Sequence, residues 1–346
     1  MSQVCAAAGD QNDSPSLAGA IGAGVPSIIS DEKDGPVTVE SLVPGFDRFV
    51  SSSEDFEWLG SGYGGRTEQG WVLGVAEGPV WFHELNCLIF SDNANGKRYK
   101  WSEADGVTLC RDGTNNANGL ARDPAGRLIA CEHATRRVTR EEPDGSITVV
   151  ADNYRGAPLN RPNDVVVSSD GSIYFTDPIT LGVDSVLDIA GVYRVSPDLG
   201  RINLLVSDFA LPNGLAFSAD ERVLYVNDTY RRHIRAFDLE LTWNTWRPNL
   251  GSDRVFCDMS SDPRAGAPDG MKLDSEGNVW CTGPGGVWVI DPDGQHLGTI
   301  LHPEGMHITN FCFGGEDRNT LFVTTRTGMG RLKVKMPGLP LAPEKG

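Results

Sequence analysis

Short apolar runs alternate with polar turns along most of the chain, and one phrase built from them recurs. An acidic or amide residue is followed by Gly, Asp or Phe, then two or three apolar residues, a polar turn and a second apolar run. It reads EGPVW from Glu77, NGLARDPAGRLIACE from Asn118, NDVVVSSDGSIYFTD from Asn163, NGLAFSADERVLYVND from Asn213, DGMKLDSEGNVWCTG from Asp269 and NFCFGGEDRNTLFVTT from Asn310. Successive lead residues stand 41, 45, 50, 56 and 41 positions apart. A period of this length with at least two strands per unit marks a radial array of small sheets. Turn signals separate the runs, among them NANG at 93–96, SDG at 169–171 and PDG at 292–294. Glycine accepts the positive φ that tight hairpin turns need. Between 80 and 110, VWFH, CLIF, RYKW and VTLC supply four strands. The pattern predicts an all-β, six-bladed β-propeller with four antiparallel strands per blade.

The unit that begins at Asn310 runs out of chain before its fourth strand. Residues 37–50 (PVTVESLVPGFDRF) read as extended and are expected to supply it, so that an N-terminal strand closes the ring and leaves no open edge. Residues 1–36 read as a mobile tail and 37–346 as one propeller domain, because a blade cannot bury its faces alone. Residues 51–70 read as a polar, Gly-rich connection. GSGYGG at 60–65 matches a dinucleotide fingerprint, but no β-run precedes it and no helix follows, so it predicts no cofactor. Longer segments at 180–190 and 241–252 read as insertions over one face. Those near 55–70 and 180–190 are expected to shape the substrate.

Composition narrows the partners. With 47 acidic against 30 basic residues the formal charge is −17. That disfavours nucleic acid and anionic membranes, which need clustered Lys and Arg. No apolar run reaches 18 residues, so no membrane-spanning segment is expected. The seven cysteines form no CxxC pair, and several lie inside apolar runs. Buried free thiols fit a reducing, cytoplasmic setting. The matches for N-glycosylation at Asn12 and Asn227 are then chance.

The lead residues carry the chemistry. Glu77, Asn118, Asn163, Asn213, Asp269 and Asn310 all begin the first strand of a unit, which should be innermost, so six oxygen-bearing side chains should converge on the ring axis. Buried carboxylates and amides are costly unless paired or bound to a metal. A hard divalent cation such as calcium or magnesium takes oxygen ligands of this kind. The competing reading is that Asn or Asp before Gly merely forms a turn. Other catalytic layouts are weak: no GxSxG or HExxH occurs, HELNC at 83 fails at its last position, and His302 and His307 read as rim residues.

AEGPVW, RPNDVVV with YFTDP, PNGLAFS with LYVND, PDGMKLD with GNVWCTGPGGVWV, and FCFGGEDRNTLFVT together resemble the SMP-30/gluconolactonase family over roughly 71–335. The resemblance implies a six-bladed propeller that holds one divalent metal in its central channel and hydrolyses sugar lactones. It implies Glu77, Asn213 and Asp269 as metal ligands, and Asn163 as a contact to metal or substrate. Arg161 matches an arginine that contacts substrate hydroxyls, although many bacterial relatives lack it. Asn118 and Asn310 are not standard ligands and are expected to hold water, substrate or a neighbouring ligand.

The implied reaction is attack of water on a lactone carbonyl, with Asp269 as base by analogy. Metal ligation lowers a carboxylate's basicity, so a neighbouring group is also considered as proton acceptor. His133, Asp177 and Asp228 each follow the second strand of a unit, which returns to the end where the lead residues lie. His133 stands out because a neutral imidazole works near pH 7. Asp177 is counted with the substrate-binding residues. Calcium is the expected ion, with zinc, manganese, magnesium and iron(II) compatible. Two other readings stay open: a phosphotriesterase-like hydrolase of the diisopropylfluorophosphatase type, and a non-catalytic or strictosidine-synthase-like propeller scaffold.

Overall fold

Four-stranded antiparallel units follow one another from residue 76 to the end of a computed structural model, which describes residues 34–66, 73–180, 182–242, 245–301 and 307–340. Blade 1 runs through Ala76–Phe82, Cys87–Asp92, Lys97–Ser102 and Gly106–Asp112; blade 2 through Ala117–Arg122, Leu128–Glu132, Arg137–Glu141 and Ile147–Ala151. Blade 3 comprises Val165–Val167, Ile173–Asp177, Gly191–Val195 and Ile202–Val206. Blade 4 comprises Pro212–Phe217, Val223–Asp228, His233–Thr242 and Arg254–Asp258. In blade 5, Met271–Leu273, Val279–Gly283, Gly286–Ile290 and His296–Leu301 pair in order. Blade 6 opens with Ile308–Gly314, Thr320–Thr325 and Gly328–Lys333. First strands of successive blades touch, and those of blades 6 and 1 touch in turn, which closes the ring. The fold is the six-bladed, all-β propeller. Among the described residues only short 3-10 turns interrupt the strands.

Ring closure differs from expectation in one respect. The fourth strand of blade 6 is Asp55–Ser61, which pairs with Gly328–Lys333. Residues 51–70 are therefore not merely a connection. Phe56 and Trp58 alternate inward along this strand and join the core between blades 5 and 6. The 37–50 segment instead serves blade 5, where Thr38–Ser41 adds a fifth strand beside His296–Leu301. Phe46, Phe49 and Val50 then pack with Trp280, Ile300 and Leu332. This apolar cluster explains the placement, since its residues fit the seam between two blades rather than a sheet edge. Gly35 and Pro36, read as tail, pair with Phe56 and Asp55; residues 1–33 lie outside the described part.

GSGYGG completes the closing strand. Gly60 and Ser61 belong to it, and the Tyr63 ring packs 5.0 Å from Phe90. Aromatic pairs bridge neighbouring blades: Trp81 with Phe322 at 5.1 Å, Tyr174 with Phe217 at 4.9 Å and Trp280 with Phe313 at 5.2 Å. Part of the 241–252 insertion is a hairpin, with Thr245–Pro248 returning along the end of His233–Thr242.

The motif glycines have a different purpose from the one their sequence suggests. Gly119, Gly214 and Gly270 lie inside or against the innermost strands without positive φ. A Cβ on Gly119 would stand 2.6 Å from the Asn163 carbonyl oxygen, and one on Gly270 2.6 Å from Asn310 Cα. A Cβ on Gly214 would collide with the Asp269 carbonyl oxygen. Each glycine lets the lead residue of the next blade approach its neighbour's backbone.

Candidate metal centre

Hydrogen bonds stitch the lead segments together around the axis. Asn116 and Asn93 link blades 1 and 2, and Gly119 N–H donates to the Asn163 carbonyl at 2.9 Å. Thr176 Oγ1 donates to the Asn213 carbonyl at 2.8 Å, and Asn227 Nδ2 to the Asp269 carbonyl at 2.6 Å. Gly270 N–H reaches the Thr309 carbonyl at 2.9 Å, and Thr309 Oγ1 the Ala76 carbonyl at 2.7 Å. Every blade boundary is therefore fixed beside a lead residue. Asn227 is fully buried in this belt, so its glycosylation match is not an accessible acceptor.

The side chains form a second, inner circuit. Asn93 Nδ2 donates to Asn118 Oδ1 at 2.6 Å, and Asn118 Nδ2 to Asn163 Oδ1 at 2.9 Å. Asn163 Nδ2 donates to Asn213 Oδ1, and Asn213 Nδ2 to Thr229 Oγ1 at 3.0 Å. Thr229 Oγ1 donates onward to the Pro268 carbonyl at 2.7 Å. On the other side, Glu77 Oε2 accepts from Gly78 N–H at 2.6 Å and from Asn310 Nδ2 at 2.9 Å. Asn118 and Asn310 thus hold neighbouring lead residues, Asn163 and Glu77 respectively.

Electrostatics make this circuit unusual. Burial, with the Asp164 charge next, pushes the Glu77 carboxyl up to about 7. Burial, and then Glu77 and Asp164, push Asp269 well above the usual carboxylate range. Burial also raises Asp164, which Lys272 counteracts. Three carboxyl groups sharing one dry site cannot all ionise without a compensating cation. Among the described residues no three His, Cys, Asp or Glu gather in a metal-holding arrangement. The axial donor set is instead two carboxylates with amide oxygens, which suits a hard divalent ion. An Asn amide can turn its oxygen inward, since the O and N ends are nearly isosteric.

Asp164 and Lys272 were not singled out by the sequence reading. Lys272 Nζ donates to Asn310 Oδ1 at 3.2 Å. Beyond it the innermost strands open into an apolar cavity of about 110 Å³, with Val80, Leu120, Val165, Leu215, Met271 and Phe313 in its wall.

The neighbouring candidates divide into two kinds. His133 lies beside Asn163 and Arg161. Neither of its ring nitrogens reaches solvent or finds a hydrogen-bond partner among the described residues. Burial, aided by the Arg161 charge, holds the imidazole well below the ordinary histidine range, so it is neutral. Arg161 is partly buried and its guanidinium has no ion pair among the described residues; burial lowers it. The His133 nitrogens are unpaired but enclosed, and the Arg161 guanidinium is open to a ligand. The Asp177 carboxylate is fully buried and accepts from Asn160 N–H at 2.8 Å and Arg161 N–H at 2.6 Å. In this arrangement it clamps the loop that presents Arg161 and Asn163. Asp228 clamps Ala210 N–H at 2.7 Å and Leu211 N–H at 3.2 Å before Asn213 in the same way. Both take up backbone donors, and burial raises the Asp177 carboxyl to about 7.

The 180–190 insertion is tied down near this loop. Asn160 Nδ2 donates to the Ile189 carbonyl at 2.8 Å, Arg136 holds the Asp184 carbonyl, and Leu187 is buried. The strand at 55–61 is the fourth of blade 6 counted from the axis, and residues 67–70 of the 55–70 segment lie outside the described residues. His302 lies outside the described residues; the His307 carbonyl accepts from Arg326 N–H. The six described cysteines are free thiols.

Comparison with known proteins agrees with this architecture. The model for the SMP-30/gluconolactonase/LRE-like region matches residues 75–327. A gluconolactonase from Zymomonas mobilis is 34% identical over 285 residues, covering 76% of this chain and 79% of its own. A pentonolactonase from Haloferax volcanii is 28% identical, covering 74% and 83%. Among solved structures, a gluconolactonase from Xanthomonas campestris superposes with a TM-score of 0.72 at 30% identity, covering 87% and 98%. The chain belongs to the SMP-30/gluconolactonase/LRE-like family.

Proposed function

We propose that this protein is a divalent-metal-dependent lactonase that opens a sugar lactone, or a similar cyclic ester, to the hydroxy acid. The observation that carries the reading is the gathering of Glu77 and Asp269 with Asp164 at the ring axis: burial drives the first two toward protonation, aided by the Asp164 charge at Glu77 and by the Glu77 and Asp164 charges at Asp269. Glu77, Asn163, Asn213 and Asp269 would hold the cation, and calcium suits their oxygen donors. The family membership and the lactonase names of its relatives support the substrate class.

When bound, the ion supplies a Lewis acid that polarises the carbonyl and balances the charge developing on its oxygen. The chain's own groups do the rest. Arg161 donates to substrate hydroxyls. Asp269 and His133 are the two groups that can accept the proton of the attacking water. The water oxygen bonds to the carbonyl carbon, the ring C–O bond breaks, and the proton passes to the departing ring oxygen. His133 suits this role because it stays neutral and its nitrogens have no competing partner among the described residues.

The test is hydrolysis of γ- and δ-lactones, with fluorophosphates and aryl esters alongside, after chelation and single-metal add-back. Lactone turnover should vanish on chelation and return with a divalent ion. Asp269→Asn should lose at least a hundredfold in kcat/KM. Turnover that survives chelation, or preference for the phosphotriester, would overturn the proposal.

A further inference from the structure

Six innermost strands enter the axis in equivalent positions, so residues at the same offset from each lead can be compared. Three positions after the leads stand Val80, Ala121, Val166, Ala216, Lys272 and Phe313. Five are apolar. Lys272 alone is charged, and it is partly buried.

Its partners are clear. Lys272 Nζ donates to Asn310 Oδ1 at 3.2 Å, and Phe311 N–H donates to the same oxygen at 2.9 Å. With its oxygen held by two donors, the Asn310 amide must turn its NH2 group the other way. That group donates to Glu77 Oε2 at 2.9 Å and lies beside the Asp164 carboxylate. Flipping the amide would set its NH2 against an ammonium and its oxygen against two carboxylates. Glu77 Oε2 is thereby committed to Asn310 and Gly78, which leaves Oε1 for another partner. The charges complete the picture. Glu77, Asp269 and Asp164 carry three negative charges when ionised, Lys272 carries one positive, and a divalent ion would bring the set to neutrality.

We propose that Lys272 and Asn310 form a positioning relay, in which the ammonium fixes the Asn310 amide so that Glu77 is held with one oxygen free for a divalent cation. The inference rests on the metal-dependent reading above. Neither residue is assigned as a metal ligand.

Calorimetric titration of the chelator-stripped full chain with calcium tests it, with thermal melting of each stripped variant as a check on folding. Lys272→Met should weaken calcium binding tenfold to a hundredfold, the range typical when a partner of a metal ligand is removed. Asn310→Leu should lose a similar factor. The double variant should be no worse than the weaker single, because both act through one route. Lys272→Arg, which keeps a donor and the charge, should recover most of the affinity. If Lys272→Met binds calcium as tightly as the parent or more tightly, the relay is wrong, and the lysine only opposes the cation. Additive losses in the double variant also overturn it. A parent chain that takes up no divalent ion would defeat the metal-dependent reading itself and the relay with it. Loss of binding in Glu77→Gln without loss in Lys272→Met defeats the relay alone.

Discussion

Glu77→Gln separates a carboxylate kept for a cation from one kept for structure. The amide preserves size and leaves an oxygen to accept from Gly78 N–H and Asn310 Nδ2, the two bonds Glu77 now accepts. What disappears is the charge. In the cation-free protein the Glu77 carboxyl is raised from 4.5 to about 7. Each unit is about 1.4 kcal/mol, so keeping this group ionised in the fold costs about 3 kcal/mol. The sign follows from linkage. The folded state holds the proton more tightly than the unfolded state, so stability is full below about pH 4.5, falls as pH climbs through about 7, and stays reduced above. At pH 8 the stripped Glu77→Gln protein should therefore be more stable than the stripped parent by up to about 3 kcal/mol. For a domain of this size that is about 5 °C in Tm. At pH 4.5 the two should melt together. Adding calcium should reverse the order: the parent gains about 4.1 kcal/mol at a thousandfold excess over Kd, which exceeds that deficit, and the variant does not. Differential scanning calorimetry at the two pH values, with and without the ion, reads all four numbers. If stripped Glu77→Gln melts at or below the parent at pH 8, the carboxylate is not under electrostatic load, and the reason for invoking a cation falls.

Three further outcomes follow. His133→Gln should lower kcat by about 10² to 10⁴ with little change in KM if the imidazole accepts the proton; since burial keeps the wild-type ring neutral, the wild-type pH–rate profile should show no inflection near 6.5, and stopped-flow rates from pH 5 to 8 check both. Gly214→Ala should cost about 1–3 kcal/mol in urea unfolding and weaken calcium binding, because the added methyl meets the Asp269 carbonyl and would stand 2.8 Å from Asn227 Nδ2. Asp177→Asn leaves one of the Asn160 and Arg161 N–H donors facing an NH2 group, so KM for a hydroxylated lactone should rise more than kcat falls, as expected if the carboxylate acts by holding the Arg161 loop.

The blade pattern was legible because every unit repeats the same alternation and the same turns, and a repeat averages away local ambiguity. The closing strand lacks that support. It occurs once, far from the strand it completes. Its inward residues Phe56 and Trp58 sit among Ser, Gly and acidic neighbours that read as a connection. Residues 37–50 looked more strand-like and do form a strand, yet Phe46, Phe49 and Val50 direct them to the seam between blades 5 and 6. Which edge a non-repeated strand joins depends on tertiary packing, and alternation alone does not encode it. Asp177 and Asp228 stayed ambiguous in the sequence for a related reason: an acid at a strand end can face a ligand or cap a neighbouring loop, and the sequence does not show the backbone donors of Asn160, Arg161, Ala210 and Leu211 that these carboxylates accept from.

Asp164 and Lys272 were missed although the signal was present. The repeat had been read for what its units share, and function sat in what one unit lacks. One position after the lead stands Gly78, Gly119, Gly214 or Gly270 in four units, where a Cβ would strike the next blade. Blade 3 has Asp164 there, and its carboxylate occupies the space beside Gly119 that a side chain on that glycine would have filled. Three positions after the lead, Lys272 breaks an apolar column. An acid and a base, each the exception at its own offset, are brought to the same axis by strands more than a hundred residues apart. Asn310, at the axis in blade 6, accepts from Lys272, lies beside Asp164 and donates to Glu77.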